Sequence, residues 1–226
     1  MNFFGHASAA VWYDDRPAYV LGAMLPDFQG MLRLEPPAWL EPTVQAGVRL
    51  HHATDAAFHG IPVVVELMAA ARHELLEVGV SQGAARAVAH VGTELVLDEA
   101  LAADSRAVSI YVAALRLGAA PHAPLRWRAP DDTERFRKLA GALAERSVST
   151  VGAPAAALAA RLQRVLAPRP RLALSDAETG LVSEWVVAAR PRVVGCASRI
   201  ASELRSRLAA AGFGSNGCEP VDSRPG

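Results

Sequence analysis

Two stretches of this sequence carry ionisable side chains where a helix would normally place apolar ones. In GVRLHHATDAAFHG, residues 47–60, His51, Asp55 and His59 recur at every fourth position. Side chains four residues apart are neighbours on a helix, so His51 and Asp55 are placed to bind one centre. His59 lies two turns from His51, about 12 Å along the axis. It is therefore available to a second ion, to a phosphate, or to no ligand at all.

The apolar members of this stretch indicate that its chemical face is turned toward the core. Val44, Val48 and Phe58 share one helical stripe with His51 and Asp55. A buried carboxylate costs several kcal/mol unless it is paired or bound to a metal. The stripe therefore indicates either a hydrogen-bonded His–Asp pair inside a helix bundle or a metal site.

The second stretch, AHVGTELVLDEAL at residues 89–101, repeats the same spacing with His90, Glu94 and Asp98. The residues around them are apolar on nearly every side, which is typical of a buried helix. No Lys or Arg lies within a helical turn of Glu94. Two carboxylates in such a helix favour a divalent cation from outside the chain over the alternative, an ion pair with a distant arginine.

Two further residues complete the predicted site. His6 interrupts an apolar first helix, and Asp27 follows Pro26 in LGAMLPDF, where a carboxylate can face a cavity. Mixed histidine and carboxylate ligands suit Mn²⁺, Fe²⁺ or Zn²⁺. The set exceeds the needs of one ion, so we expect two ions, or else some members that orient ligands or act in catalysis. The predicted ligands are His6, Asp27, His51, Asp55, His90, Glu94 and Asp98.

The resemblance of these motifs to HD-type metal-dependent phosphohydrolases implies that the site hydrolyses a phosphoester. A divalent ion lowers the pKa of a bound water and polarises phosphoryl oxygens. Asp55, Glu94 or His59 is then the predicted catalytic acid or base. We expect His52 and Arg49 to bind the phosphoryl charge, although Arg49 points in a different helical direction from His51.

The composition bounds the class of protein. Of 226 residues, 51% are hydrophobic and 20% charged, which predicts a folded chain. The 23 basic and 23 acidic residues balance, which argues against a general nucleic-acid binder. Cys196 and Cys218 have no metal-site spacing and predict free thiols. Without a signal-like start or an apolar run of about 20 residues, we expect a cytoplasmic protein that does not span a membrane.

Alanine, leucine and arginine dominate the chain, so the predicted fold class is all-α. Pro26 is expected to end the second helix, Ser81 to cap the fifth, and the proline-rich segment after residue 117 to separate two halves. The predicted helices span residues 3–12, 18–25, 42–60, 63–78, 82–102, 106–117, 132–147, 154–166, 176–189 and 193–211.

The N-terminal motifs resemble those of a known family. MNFFGHASAA, LGAMLPDFQG and GVRLHHATDAAF, in this order, are similar to the opening motifs of acyl-carrier-protein phosphodiesterases, in which His6, Asp27, His51 and Asp55 match motif residues. That all-α family is related to the HD-domain metal-dependent phosphohydrolases. The resemblance implies an HD-like helical bundle that uses a divalent metal such as Mn²⁺ to release 4′-phosphopantetheine from acyl carrier protein.

The later helix departs from that family. ELVLDEAL stands where the family has a DxxxDHFL-like motif: Asp98 is retained, Glu94 replaces an aspartate and Glu99 replaces the histidine. His52 likewise stands where the family has arginine. LGAMLPDF followed by AHVGTELVLDEAL also resembles the zinc-dependent phospholipase C-like group, to which His90 and Glu94 fit better.

The resemblances imply a metal-dependent phosphodiesterase as the first interpretation. The alternatives are a phospholipase C-like or HD-type phosphohydrolase acting on a lipid or nucleotide, and a helical scaffold without turnover, which Glu99 would favour. The resemblances imply an HD-like metal-binding core at residues 1–120. The sequence pattern predicts further helices packing on this core at 121–212, and the composition predicts a disordered tail at 213–226.

An acidic partner such as acyl carrier protein would need a basic docking surface. The segment LRLGAAPHAPLRWRAP offers one, and an ordinary exposed linker is the alternative. Its members are Arg116, His122, Arg126, Trp127 and Arg128.

Overall fold

The computed structural model describes residues 1–146, 148 and 152–214. Within these residues the fold is all-α, as predicted, with nine helices and one sheet of two short strands. The helices are α1 (Phe3–Val11), α2 (Pro17–Leu32), α3 (Pro42–His59), α4 (Pro62–Glu77), α5 (Gln82–Leu101), α6 (Ser105–Ala119), α7 (Pro130–Ala144), α8 (Ala155–Leu166) and α9 (Asp176–Ala210).

Local sequence explains where these helices begin. Helices α2, α3, α4 and α7 start with proline at their first position, where its missing N–H would be unpaired in any case. Helix α9 starts with a capping box between Ser175 and Glu178. Ser81 precedes α5 as predicted, but its side chain makes no capping hydrogen bond; its backbone N–H donates to Glu178 Oε1 at 2.9 Å.

Two prolines do not end their helices. Pro26 lies inside α2, and Pro191 lies inside α9, so the predicted end at residue 25 and the predicted break at residues 190–192 are wrong. An interior proline removes one hydrogen bond and strains the turn before it. Buried residues before and after each proline, Leu25 and Phe28 in α2 and Ala189 and Val193 in α9, hold both turns against the core.

The segments predicted as loops contain the small sheet. Strand β1 (Trp39–Leu40) pairs antiparallel with β2 (Leu125–Arg126), and Trp39 lies opposite Arg126. Of the predicted disordered tail, residues 215–226 lie outside the described residues. Phe213, which was assigned to that tail, packs with its ring 6.3 Å from the ring of Tyr13.

The core surrounds α1, whose nine residues are all buried. Helices α2, α3, α5 and α6 pack on α1, and the later helices pack on these, with α7 on α6 and with α8 and α9 on α5. Among the described residues, no single helix is long and apolar enough to span a membrane; only α3 and α4 counted together, with a 66° bend between them, satisfy that test.

Helices α2 and α3 cross with their backbones in contact, and glycine makes this possible. A Cβ atom on Gly22 would lie 2.0 Å from the carbonyl oxygen of Val44, and one on Gly47 would lie 2.0 Å from the carbonyl oxygen of Tyr19. Both distances are far inside van der Waals contact, so neither position accommodates a side chain. This crossing brings Asp27 of α2 beside His51 and Asp55 of α3.

We predict that Gly47→Ala separates α2 from α3 and lowers the free energy of unfolding by about 2–3 kcal/mol, because the added methyl overpacks a backbone contact. Gly30→Ala is the matched control, since Gly30 lies in α2 with open space around it. Alanine there should be neutral or stabilise the helix by up to about 1 kcal/mol. Urea unfolding of both variants measures the difference; equal effects would contradict the role of the crossing.

Candidate metal centre

Four helices bring seven of the predicted residues together. His6 comes from α1, Asp27 from α2, and His90 and Glu94 from α5, while α3 supplies His51, Asp55 and His59. Their potential ligand atoms form two groups, each with all of its atoms within 4.8 Å of one another. The first group is His6, Asp27 and His51, and the second is His59, His90 and Glu94.

The two histidines of the first group are buried, which favours their neutral form. His6 is 1% exposed, and its ring stacks on that of His51 with 3.9 Å between centroids. Burial, with the neighbouring His51, holds the pKa of His6 well below its usual value, and burial lowers the pKa of His51 to about 4. A neutral imidazole has one nitrogen lone pair free, which is the form that binds metals.

One hydrogen bond fixes which nitrogen of His51 is free. The ring Nδ1 lies 2.9 Å from the carbonyl oxygen of Ala23, which can only accept, so Nδ1–H is the donor. Nε2 is therefore left with its lone pair. Metal-bound histidines are commonly oriented in this way by a backbone carbonyl.

The second group is more open to solvent. The side chain of Glu94 is 6% exposed, but those of His59 and His90 are 31% and 50% exposed. Glu94 Oε1 lies 3.2 Å from His90 Nε2 and 3.8 Å from His59 Nε2. The neighbouring Glu94 carboxylate raises the pKa of His90. Burial alone would raise the pKa of Glu94, but His90 and the Met1 amino group outweigh burial and lower that pKa.

Asp55 lies between the two groups. Its Oδ1 is 3.9 Å from His6 Nε2 in the first group and 3.3 Å from His59 Nε2 in the second. A hydrogen bond with His59, together with the Met1 amino group, holds the pKa of Asp55 far below its usual value. Asp55 is thus an ionised carboxylate in the position of a bridge between two ligand sets.

A positive charge already lies at this point. The Met1 amino group is 2.6 Å from Asp55 Oδ1, 3.3 Å from Glu94 Oε1 and 3.3 Å from His59 Nε2. Burial alone would lower its pKa, but Glu94 and Asp55 outweigh burial and raise it. The field of the site therefore favours a cation between Asp55 and Glu94.

The buried polar atoms test whether a metal ion fits. Both ring nitrogens of His6, Oδ2 of Asp27 and Oε1 of Glu94 are buried and lack a hydrogen-bond partner within the described part of the chain. His6 Nε2 and Asp27 Oδ2 are 4.0 Å apart, too far for a hydrogen bond. Two ligands of one ion are separated by roughly 3–4 Å when each is about 2.1 Å from it. The separation of these nitrogen and oxygen atoms is therefore that of two ligands of one ion and not that of a hydrogen-bonded pair.

Burial acts strongly on the carboxyl group of Asp27. Burial, with Glu94 and Asp55 nearby, raises the pKa of Asp27 to about 7, although the Met1 amino group opposes the shift. A bound divalent cation would favour the ionised form.

Three predicted residues lie outside both groups. Asp98 is buried one turn beyond Glu94 and accepts a hydrogen bond from Asn2 Nδ2 at 2.5 Å, so its carboxylate faces the start of α1. His52 is exposed, with its ring 5.3 Å from that of His51. Arg49 is also exposed, and its charge acts on Tyr19 rather than on either group.

Sequence reasoning missed the partners that come from far along the chain. Glu99 is buried and pairs with Arg190 of α9, at 2.9 Å between Oε2 and Nε. The Met1 amino group, Asn2 and the Ala23 carbonyl were missed as well. Only the position of Asn2 before the first helix carried a local signal, since Asn is a favoured N-cap, and its side chain does accept from the N–H of Phe3.

The predicted docking surface is only partly exposed. Arg116, His122, Arg126 and Arg128 face solvent, but Trp127 is buried, with its ring 5.3 Å from that of Phe136. Trp127 therefore packs in the core and is not available to a partner. Arg126 instead has Trp39 beside it, 5.9 Å from the ring centroid.

Comparison of the chain with protein-family models, curated proteins and solved structures finds no match. Any inference about function therefore depends on the geometry of the site itself.

The burial of Asp98 predicts a pH dependence of stability. Burial raises its pKa to about 7, despite the hydrogen bond from Asn2 and the nearby Arg161 charge. The folded state then binds more protons than the unfolded state between about pH 4 and 7, so stability falls as pH rises through this window. In protein treated with a chelator, Asp98→Asn should flatten that fall in urea unfolding, whereas the exposed Asp131→Asn should not. A fall of equal slope in Asp98→Asn would contradict the assignment.

Proposed function

We propose that this protein is a metal-dependent hydrolase of phosphoric esters with a two-ion centre. The observation that carries the proposal is the position of Asp55 between two groups of histidine and carboxylate side chains, in which both ring nitrogens of His6 and Oδ2 of Asp27 are buried without a hydrogen-bond partner among the described residues. A site of nitrogen and oxygen donors suits Mn²⁺, Fe²⁺ or Zn²⁺.

Each residue then has a distinct task. His6, Asp27 and His51 would hold one ion, His59, His90 and Glu94 the other, and Asp55 would contact both. When bound, the ions would supply Lewis acidity and a water of lowered pKa. Asp55, whose pKa is held far below its usual value, is a weak base and would act as a ligand, while its side chain, 45% exposed, would adjoin the bound water.

The exposed side of the centre defines where a substrate would approach. The first group is enclosed by the core, whereas His90 is half exposed and Asp55 nearly so. A phosphoester would therefore reach the centre from the α3–α5 side. His52 and Arg49 are exposed on the outer face of α3. They would bind a substrate that extends along this face.

The resemblance to acyl-carrier-protein phosphodiesterases suggests one substrate, the phosphodiester between 4′-phosphopantetheine and its carrier. The exposed basic residues Arg116, Arg126 and Arg128 would then contact the acidic carrier. A lipid or nucleotide phosphoester is the alternative substrate. Hydrolysis of holo acyl carrier protein but not of bis(p-nitrophenyl) phosphate would support the carrier; the reverse would support a small ester.

Metal content is the first measurement. We predict that the purified protein, reconstituted with Mn²⁺, Fe²⁺ or Zn²⁺, holds about two ions per chain by elemental mass spectrometry. Asp55→Ala should lower the content of both groups, and His51→Gln that of the first alone. Hydrolytic activity should fall at least about 100-fold in both variants.

His73→Gln is the matched control, because His73 lies on α4 with its side chain 74% exposed. It should keep full metal content and activity. A wild-type protein that takes up none of the three metals would overturn the hydrolase proposal and favour a helical scaffold. Metal uptake without hydrolysis of any phosphoester would restrict the proposal to metal binding.

A further inference from the structure

A cavity of about 560 Å³ adjoins the second ligand group and is not used in the roles above. It lies between α4, α5 and the chain segment at the end of α8, and His90 forms part of its wall. Its volume is within the range of about 300–1,000 Å³ that small-molecule sites occupy. The same histidine therefore faces both the candidate metal centre and a space large enough for a ligand.

Three arginines line this cavity: Arg72 from α4, Arg86 from α5 and Arg169 after α8. Within the described ranges none of their side chains forms an ion pair or hydrogen bond. The two acidic residues of α4 nearest to Arg72 in sequence are paired elsewhere, Glu74 with Arg192 and Glu77 with His73. Three exposed arginines that line one cavity without carboxylate partners in the described residues favour an anion, and the planar guanidinium fork suits phosphate.

The order of residues along α5 connects the arginines with the centre. Arg86, His90 and Glu94 follow one another at intervals of four, so each is one helical turn from the next. Such neighbours are about 6 Å apart at Cβ. Arg86 and His90 therefore lie on the same face of α5, and both line the cavity.

The remaining wall of the cavity is apolar. Met68, Val91, Leu166 and Leu172 contribute to it, together with small alanine side chains. A free inorganic anion would leave this surface in contact with water, whereas an apolar substituent would cover it. The cavity thus combines one anion site with one hydrophobic wall.

We propose that this cavity binds an organic phosphate with an apolar substituent, and that this phosphate with its substituent is the part of the substrate remote from the hydrolysed bond. The place of this phosphate in the substrate rests on the proposed hydrolase function, whereas its binding in the cavity does not. Arg72, Arg86 and Arg169 hold the anion, and the apolar wall holds the substituent.

Calorimetric titration of chelator-treated protein with hexyl phosphate tests the binding without any metal. Hexyl phosphate should bind at least about tenfold more tightly than inorganic phosphate or hexan-1-ol, because only it engages both parts of the cavity. Arg72→Gln and Arg86→Gln should each weaken it about tenfold, the effect of losing a charged hydrogen bond. Arg164→Gln, an exposed arginine of α8 outside the cavity, should leave affinity unchanged.

Equal binding of hexyl phosphate and hexyltrimethylammonium, or affinity that none of the cavity arginines affects, would overturn the proposal. Matching urea midpoints of the variants ensure that lost affinity is not lost folding. Arginine-dependent binding in a protein without metal or hydrolysis would leave the cavity assigned and the hydrolase proposal rejected. Metal uptake and hydrolysis without hexyl phosphate binding would support the hydrolase proposal and reject the proposed cavity ligand.

A soluble phosphoester and a membrane lipid can both combine a phosphate with an apolar group, and a second experiment distinguishes them. Co-sedimentation with phosphatidylcholine vesicles that contain phosphatidic acid, but not with phosphatidylcholine alone, would assign the cavity to a lipid phosphate. Hexyl phosphate binding without co-sedimentation would assign it to a soluble ester.

Discussion

The convergence of three carboxylates from three different helices is the constraint on which the N-terminal half of this protein depends. Glu94 is buried, Asp27 and Asp55 are partly exposed, and one ammonium group lies beside Asp55 and Glu94. Neighbouring like charges repel more strongly as they are removed from water. The chain limits this repulsion by surrounding the carboxylates with imidazoles and by leaving Asp55 partly exposed.

The backbone contact between α2 and α3 serves the same constraint. Without side chains at Gly22 and Gly47, the helices approach until the Ala23 carbonyl reaches the ring of His51. That bond selects the tautomer of His51 and leaves its outer nitrogen directed at the first group. A packing feature of two glycines therefore determines which atom is available for chemistry, and an effect on metal binding is expected from a substitution that touches no ligand.

Sequence periodicity predicted the helices and most of the candidate ligands, because spacing of four places side chains on one helical face. It separated His59 from His51 on axial distance alone, and the structure does place them in different groups. Periodicity on one helix gives no distance to another. It therefore could not predict that His90 lies beside His59 or that Asp98 faces Asn2. It also could not predict that Glu99 pairs with Arg190, which lies 91 positions along the chain. The predicted helix ends at Pro26 and Pro191 were wrong for a related reason, since tertiary packing keeps each helix continuous across its proline.

Helix α5 contains its own comparison between a structural acid and a candidate ligand. Glu94 and Glu99 are both buried and lie five residues apart, yet the fold treats them differently. It supplies Arg190 to Glu99, which is the usual solution when a buried carboxylate needs only a counter-charge. Glu94 instead lies beside two imidazoles and the Met1 amino group, all 3.2–3.8 Å from its Oε1. The two acids of one helix therefore differ in their surroundings: Glu99 has an arginine from a distant helix, whereas Glu94 has two histidines, a residue type that also serves as a metal ligand.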